Sequence, residues 1–385
     1  MRILYIIDFF HPHVGGVPTF FKNLAENAKR MGHSVTVVTT HANGTRSPEN
    51  YKGMRIYRFG RTREQFMVGA TLFLIRNREK FDIVHTSTYS AMVPSYAFSV
   101  MKNVPQVLSV HEVWTLNEWM EFTKSKGMFY FLEERMLFSL PFDAYISPSA
   151  HTKHDIERMG VPSSKIKVIP HGIDRSVFSP AAKRARRKVR REHLLDENEI
   201  VGCFVGKATV FKGVDYLLDA LEGAMSKSGS LRFVFLLSRL HESGYKKFIE
   251  RVNGSDVLRR NIVVVEASKD SKSVAELVAA SDFLVMPSLT EGFGFAAAEA
   301  ASMGIPVIAT KDTSLTEVVE EGKHAMFVSP RDSKNIEKAI LALTESKSLR
   351  SKLSKGRRYK TWPEVSREYV KVYQDVIRKH KEAGK

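Results

Sequence analysis

Short runs of β-branched and apolar residues alternate with longer amphipathic stretches along most of the chain. "RILYII" predicts a first strand and "PTFFKNLAENAKRMG" a helix, with Pro18 in its first turn and Gly32 just past its end. The strand "SVTVVTT" follows. Further strands are predicted at "MRIYRFG", "FDIVHTS", "PQVLSVH", "DAYISPS" and "KIKVIPHG". These runs are continuously apolar, so both of their faces are buried. That argues for a parallel sheet covered by helices. The alternation breaks at "PHGIDRSVFSPAAKRARRK", which is rich in Pro, Gly and charge. It restarts with "EIVGCFVG", "LRFVFLLS", "NIVVVEA", "DFLVMPS", "IPVIAT" and "HAMFVSP". The expectation is two α/β domains in series, residues 1–175 and 176–362. A polar amphipathic helix in 363–385 places Tyr369, Val372, Tyr373 and Val376 on one side and is expected to pack back on the first domain.

Length supports two cores, since 385 residues exceed what one core usually holds. No apolar run is long enough to predict a transmembrane helix, and "MRILYIIDFF" lacks a cleavage site and reads as a core strand. A single cysteine, Cys203, excludes an intramolecular disulfide and suggests a reducing, cytoplasmic location. The net charge of +17 favours anionic partners. Its densest run, "KRARRKVRR" from Lys183 to Arg191, reads first as a solvated linker helix and second as contact with an anionic membrane surface on the cytoplasmic face. It has no interleaved aromatics, so no nucleic acid is expected.

Ligands of open parallel sheets bind beyond the carboxyl ends of the strands, and with two such domains the default site is a cleft between them. Gly15-Gly16 after the first strand precedes a helix N-terminus suited to an anion, or is simply a tight turn. G-x-G-x-x-G is absent there, which argues against a nicotinamide enzyme. His111 closes "PQVLSVH" at a carboxyl tip and is either functional or structural. His11, His13, His151 and His154 lack the companions of a metal site, so no metal is expected. In "VGKATVFKGVDYLLDA", Lys207 and Lys212 flank a loop before a helix opened by Gly213, which suits a diphosphate, though surface lysines give the same pattern. It is not a Walker A loop. "PSLTEGFGFAAAEAASMGIPVIAT" sets Glu291 before a helix among glycines and Glu299 inside it, in an apolar run. Orphan amides near a helix start account for one acid but not two, and sugar or ribose hydroxyls would pair with both.

With these residues the chain resembles retaining glycosyltransferases of family four. "EGFGFAAAEA" is similar to their E-x7-E motif, "GKATVFKG" to their Gly-Arg-x4-Lys-Gly diphosphate motif, and "VIPHGID" to their hinge. "HPHVGGVPTFFKNLAENAKRMGHSVTVVT" resembles their N-terminal glycine loop and first helix. "DFFHPHVGGV" is similar to the phosphatidylinositol N-acetylglucosaminyltransferase subgroup. The resemblance implies an α/β, GT-B fold of two Rossmann-like domains facing across a cleft, the first binding acceptor and the second a nucleotide-diphosphate sugar. No cofactor is implied, because the nucleotide sugar is the donor substrate.

The resemblance also implies roles. Glu291 and His111 serve the reaction centre, and the backbone of Gly292, Phe293, Gly294 and Phe295 holds sugar and phosphate. Glu299 binds ribose, Lys207 and Lys212 neutralise the diphosphate, and Gly16 lets the first loop reach the phosphate side. Lys207 stands where the family has arginine, so a fork becomes a point charge. "LLSRLHESGY" replaces the family's glycine-rich turn, with Ser238 and Arg239 at base or phosphate contacts. The aromatic and Met-rich stretch "EVWTLNEWMEFTKSKGMFYFLEERMLF" is either core packing or a surface near a lipid acceptor. The reaction expected is metal-independent, retaining transfer to a hydroxyl of a lipid-linked or phosphorylated acceptor. Rivals are an epimerase of the same fold, a nucleotide-sugar-binding protein without activity, and a nucleic-acid binder.

Overall fold

The protein is described by a computed structural model over residues 1–13, 15–238, 242–266 and 270–383. Arg239, in the turn that departs from the family pattern, lies outside the described residues, as does Val14 of the glycine loop. The chain forms two compact units. Unit 1 holds Met1–Gly172 and Lys360–Lys385, and unit 2 holds Ile173–Tyr359. The crossings thus fall three residues before each of the expected boundaries, at Ile173 rather than 176 and Lys360 rather than 363.

Unit 1 carries β1 (Arg2–Ile6), β2 (Ser34–Thr39), β3 (Glu49–Tyr51), β4 (Met54–Arg58), β5 (Ile83–Ser87), β6 (Gln106–Ser109), β7 (Ala144–Ser147) and β8 (Ile166–Val168). Their order in the sheet is β3-β4-β2-β1-β5-β6-β7-β8. Every pairing is parallel except β3 with β4. The extra strand β3 is short, polar and half exposed, so hydrophobic patterning does not register it. Ile3, Leu4, Tyr5 and Ile6 are all inaccessible, as continuous apolar strands require when both faces are covered.

Two helices show how sequence becomes packing. The Gly16–Arg30 helix buries Phe20, Phe21, Leu24, Ala25 and Ala28, a stripe at helical spacing, and ends in Lys29 and Arg30 where the dipole favours cations. The last helix, Trp362–Ala383, buries Trp362, Val365, Tyr369, Tyr373 and Val376. It belongs to unit 1 although it follows unit 2 in the chain. The two helices share the ring contact of Phe20 with Tyr369 at 5.5 Å.

Unit 2 carries β9 (Ile200–Lys207), β10 (Leu231–Ser238), β11 (Ile262–Glu266), β12 (Phe283–Met286), β13 (Val307–Thr310) and β14 (Ala325–Val328). Their order is β11-β10-β9-β12-β13-β14, all parallel. Leu284 sits at its centre, in register with Cys203 of β9 and Val307 of β13, and is inaccessible. Truncating it to alanine would cost about 2–5 kcal/mol. The chain winds outward from β9 in one direction and resumes at β12 in the other. Unit 1 does the same from β1 and β5. Such reversals place the carboxyl ends of β9 and β12, and of β1 and β5, where a doubly wound sheet binds ligands.

The run from Lys183 to Arg191 is not a solvated linker. Arg190 is fully buried. Its guanidinium donates to the carbonyls of Ala280 at 3.1 Å and Asp196 at 2.8 Å, and to Asp282 Oδ2 at 2.8 Å. Arg186 takes the other oxygen of Asp282 at 2.9 Å, and Lys183 donates to the Gly304 carbonyl at 2.9 Å. Three of the cations therefore clamp unit 2. Arg184, Arg187, Lys188 and Arg191 remain exposed.

Candidate functional site

In unit 2, β9 ends at half-buried Lys207, opposite Ser238 of β10. A single turn over Val210–Lys212 leads to Gly213, and the helix Val214–Lys227 follows. Gly213 has φ +64°, and a Cβ there would collide with the carbonyl oxygen of Pro287. Glycine is thus required twice, for its backbone angle and for the close approach of two loops. The amide of Leu289 donates to the Phe211 carbonyl at 2.7 Å and ties those loops again.

The result is a direct contact between two residues 79 positions apart. Lys212 Nζ lies 2.6 Å from Glu291 Oε2, with side chains 23% and 10% exposed. Glu291 thus has a cationic partner of its own, which local sequence does not reveal. A charge-assisted bond of this length orients both groups. Ser314 Oγ also donates to the Glu291 carbonyl at 2.6 Å. Gly292 and Phe293 are buried behind it. Gly294, at φ +90°, precedes the helix Phe295–Ser302 and has no side chain with which to cap it. No acidic residue stands in the first turn, so no carboxylate there offsets the positive end of the helix dipole. Glu299 lies in the next turn, half-buried among alanines. Burial pushes its carboxyl up to about 8, so it is neutral at neutral pH.

In unit 1 the corresponding ends are arranged differently. Gly15 and Gly16 open the first helix, with Gly16 exposed. The preceding loop is held from below by Arg58, fully buried, which donates to the His11 carbonyl at 2.6 Å and the Thr40 carbonyl at 3.2 Å. Asp8 accepts a bond from Ser90 Oγ at 2.7 Å, and burial pushes its carboxyl up to about 6. His111 lies two residues past β6, packed against Phe20 at 5.0 Å and His171 at 5.4 Å between ring centres. Among the described residues nothing hydrogen-bonds its Nε2, and burial holds the imidazole down to about 4. It is therefore neutral across the physiological range.

Beneath it lies a network that patterning does not reveal. His85 on β5 has Nδ1 2.6 Å from the Tyr373 hydroxyl and Nε2 2.7 Å from Ser109 Oγ. Its ring stacks on Tyr369 at 5.7 Å, and burial holds it well below the usual histidine range. In sequence, His85 is one of four polar letters in "FDIVHTS", and nothing local marks it out. Glu134 is equally silent in the sequence. It is buried, accepts from Trp119 Nε1 at 2.8 Å and the Tyr89 hydroxyl at 3.2 Å, and is pushed up to about 7 by burial. Among the described residues no group of three or more His, Cys, Asp or Glu is gathered to hold a metal ion.

Glu291, Lys212 and the Gly292–Phe295 turn are thus brought together in unit 2, with Lys207 and Glu299 on the adjoining strand and helix. His111 and Gly16 belong to unit 1.

Comparison with known proteins adds independent information. Residues 14–177 match the family described as Glycosyltransferase Family 4, and residues 185–359 match Glycosyl transferases group 1. One component of the phosphatidylinositol N-acetylglucosaminyltransferase of Arabidopsis thaliana is 25% identical, over 98% of this chain and 83% of that protein. Among solved structures, sucrose-phosphate synthase from Thermosynechococcus elongatus aligns with a TM-score of 0.79 at 18% identity, covering 98% of this chain and 99% of the other. Anabaena HepE in complex with UDP-glucose aligns with a TM-score of 0.74 at 17% identity, covering 99% and 100%. The two Rossmann-like units are those of the GT-B fold.

Proposed function

The chain belongs to glycosyltransferase family four, and from that premise we propose that it moves a sugar from a nucleotide-diphosphate sugar to a hydroxyl of a lipid-linked or phosphorylated acceptor, with retention and without a metal. The observation that carries this reading is the Lys212–Glu291 pair at the carboxyl ends of β9 and β12, with Glu291 four residues before the helix Phe295–Ser302. In the reaction the bond from the sugar carbon to the leaving phosphate oxygen breaks, and a bond to the acceptor oxygen forms. The leaving diphosphate gains negative charge as it departs, and the acceptor proton passes to its oxygen.

Fixed positive charge is the appropriate stabiliser for that leaving group. Lys212, Lys207 and the helix N-terminus supply it without reorganising when the charge develops. Glu291 fixes the ammonium in place and offers its carboxylate to the sugar hydroxyls. Glu299 takes the ribose hydroxyls, and ionises as they donate to it. His111, neutral and shielded, supports the transferred sugar by hydrogen bonding rather than by charge. The reading draws further support from relatives: HepE was solved with UDP-glucose, and the Arabidopsis protein is named for N-acetylglucosaminyl transfer and phosphatidylinositol.

The test is a panel of uridine, guanosine and adenosine diphosphate sugars, read by thermal shift and by slow donor hydrolysis. At least one donor should raise the melting temperature and be hydrolysed. Glu291→Gln and Lys212→Ala should abolish hydrolysis while the protein stays folded. No response across the panel would overturn the reading.

A further inference from the structure

We propose that one helical face of unit 1, built on the helices Arg63–Arg76 and Gly127–Phe138, docks on an anionic lipid bilayer; this rests on the lipid-linked or phosphorylated acceptor proposed above. The helix Gly127–Phe138 has two opposed apolar faces. Glu134, Leu137 and Phe138 turn inward and are buried. Met128, Phe129, Leu132 and Met136 recur on the other side and are 48, 66, 57 and 65% exposed. An exposed patch of this kind on a folded chain marks an interaction site. The helix Arg63–Arg76 repeats the pattern with Val68, Leu72 and Ile75 at 57, 50 and 38%. Tyr89 links the two. Its ring lies 5.3 Å from the Arg63 guanidinium, and its hydroxyl bonds to Glu134.

Charge identifies the occupant. All nine lysines and arginines between residues 61 and 139 are exposed, among them Arg63, Arg76, Lys124, Lys126 and Arg135. Of the eight acids in the same stretch only Glu64, Glu121 and Glu133 are exposed. The others are paired or bonded: Glu79 with Arg55 and Asp82 with Arg2 in surface ion pairs, while Glu112, Glu118 and Glu134 take bonds from Trp114, Thr115 and Trp119. The face is thus apolar and cationic together. A second copy would set cation against cation, and protein interfaces deplete charge at their cores. An anionic bilayer accepts both features, with side-chain tips at the acyl boundary and cations at the phosphates.

The full chain should be floated with vesicles of phosphatidylcholine, with and without phosphatidylglycerol, at low and high salt. Binding should be about tenfold or more stronger to the anionic vesicles at low salt and should weaken as salt rises. The triple change Phe129→Ser, Leu132→Ser, Met136→Ser should weaken it about tenfold or more. Leu194→Ser in unit 2, where the leucine is 88% exposed, should change nothing. Equal binding to both vesicle types, no binding, or a triple variant that binds like the parent would overturn the proposal. So would sedimentation showing that the triple change dissolves a dimer, since the face would then join two copies. Donor hydrolysis measured without vesicles keeps the two proposals separate. Hydrolysis without docking overturns only this one, and docking without hydrolysis overturns only the transferase reading.

Discussion

The two units share a parallel, doubly wound sheet, yet they treat polarity at the carboxyl ends of their strands in opposite ways. Unit 2 sets a lysine against a glutamate at 2.6 Å and starts an acid-free helix turn four residues past that glutamate. Unit 1 sheathes neutral imidazoles in aromatic rings and holds His85 by short bonds to tyrosine and serine. Their surfaces differ as well. Among the described residues, fourteen of the fifteen exposed large apolar side chains lie in unit 1, and Leu194 alone in unit 2. A shared architecture therefore says little about electrostatic task. On the proposed reading a departing diphosphate calls for fixed positive charge, which neutral imidazoles do not supply.

The strongest way to break this comparison is to remove the charges of unit 2. Glu291→Gln and Lys212→Ala should each lower kcat by roughly 10²–10³, the usual cost of losing a preorganised group at developing charge. Steady-state kinetics with the best donor reads this. A loss confined to KM would show that the pair only binds. Glu299→Ala should act next most strongly and elsewhere. Donor affinity should fall about tenfold to a hundredfold, from the loss of about 1.5–3 kcal/mol of charge-assisted bonding, with kcat little changed. Hydroxyl donors favour the ionised carboxylate, and its value of about 8 before binding sets the window. Donor affinity measured by calorimetry should therefore rise as pH rises through 8, and Glu299→Gln should flatten that rise.

Stability against pH has one sign for the buried histidines of unit 1 and the opposite sign for the raised carboxyls. These are Glu299 in unit 2 and Asp8 and Glu134 in unit 1, which offset part of the histidine effect. Burial depresses His85, His111 and His171, so the folded state binds fewer protons than the unfolded one below the ordinary histidine value of 6.5. Their contribution is present above that value and is lost as pH falls toward about 4, by up to about 1.4 kcal/mol per pH unit for each histidine. Glu299 runs the other way. Its contribution is full below 4.5 and is lost as pH rises through about 8. Hydrogen exchange resolved by peptide should show unit 1 loosening first on acidification. Equal loosening of both units would remove the histidines as the cause. The smallest effect should come from Tyr373→Phe, which deletes a hydroxyl 2.6 Å from His85 Nδ1. A denaturant titration should register a loss of about 1 kcal/mol, with donor binding unchanged.

Much of this is readable in the chain. Buried strands announce themselves as continuous apolar runs, and the lysine and glutamate motifs stand directly after strands in unit 2. What stays hidden depends on distance along the chain. Nothing local in "VFKG" or "TEGFG" says that Lys212 and Glu291 touch, because two loops must first be pressed together at Gly213. Arg190 looks like one more surface cation until the carbonyls of Ala280 and Asp196 are seen to converge on it. His85 is silent for the same reason, its partner Tyr373 lying in the last helix. β3 escapes because a three-residue polar edge strand owes its pairing to its neighbour rather than to its own composition.

The return of that last helix has a further consequence. Unit 2 occupies one uninterrupted stretch, whereas unit 1 is built from two stretches separated by all of it. On a chain emerging from the ribosome, unit 2 can close as soon as Tyr359 is clear, since domains fold as units during synthesis. Unit 1, begun first, must wait for Tyr369 and Tyr373, and until they arrive His85 lacks its ring partner and its Nδ1 bond. The half of the protein made earliest is the half finished last.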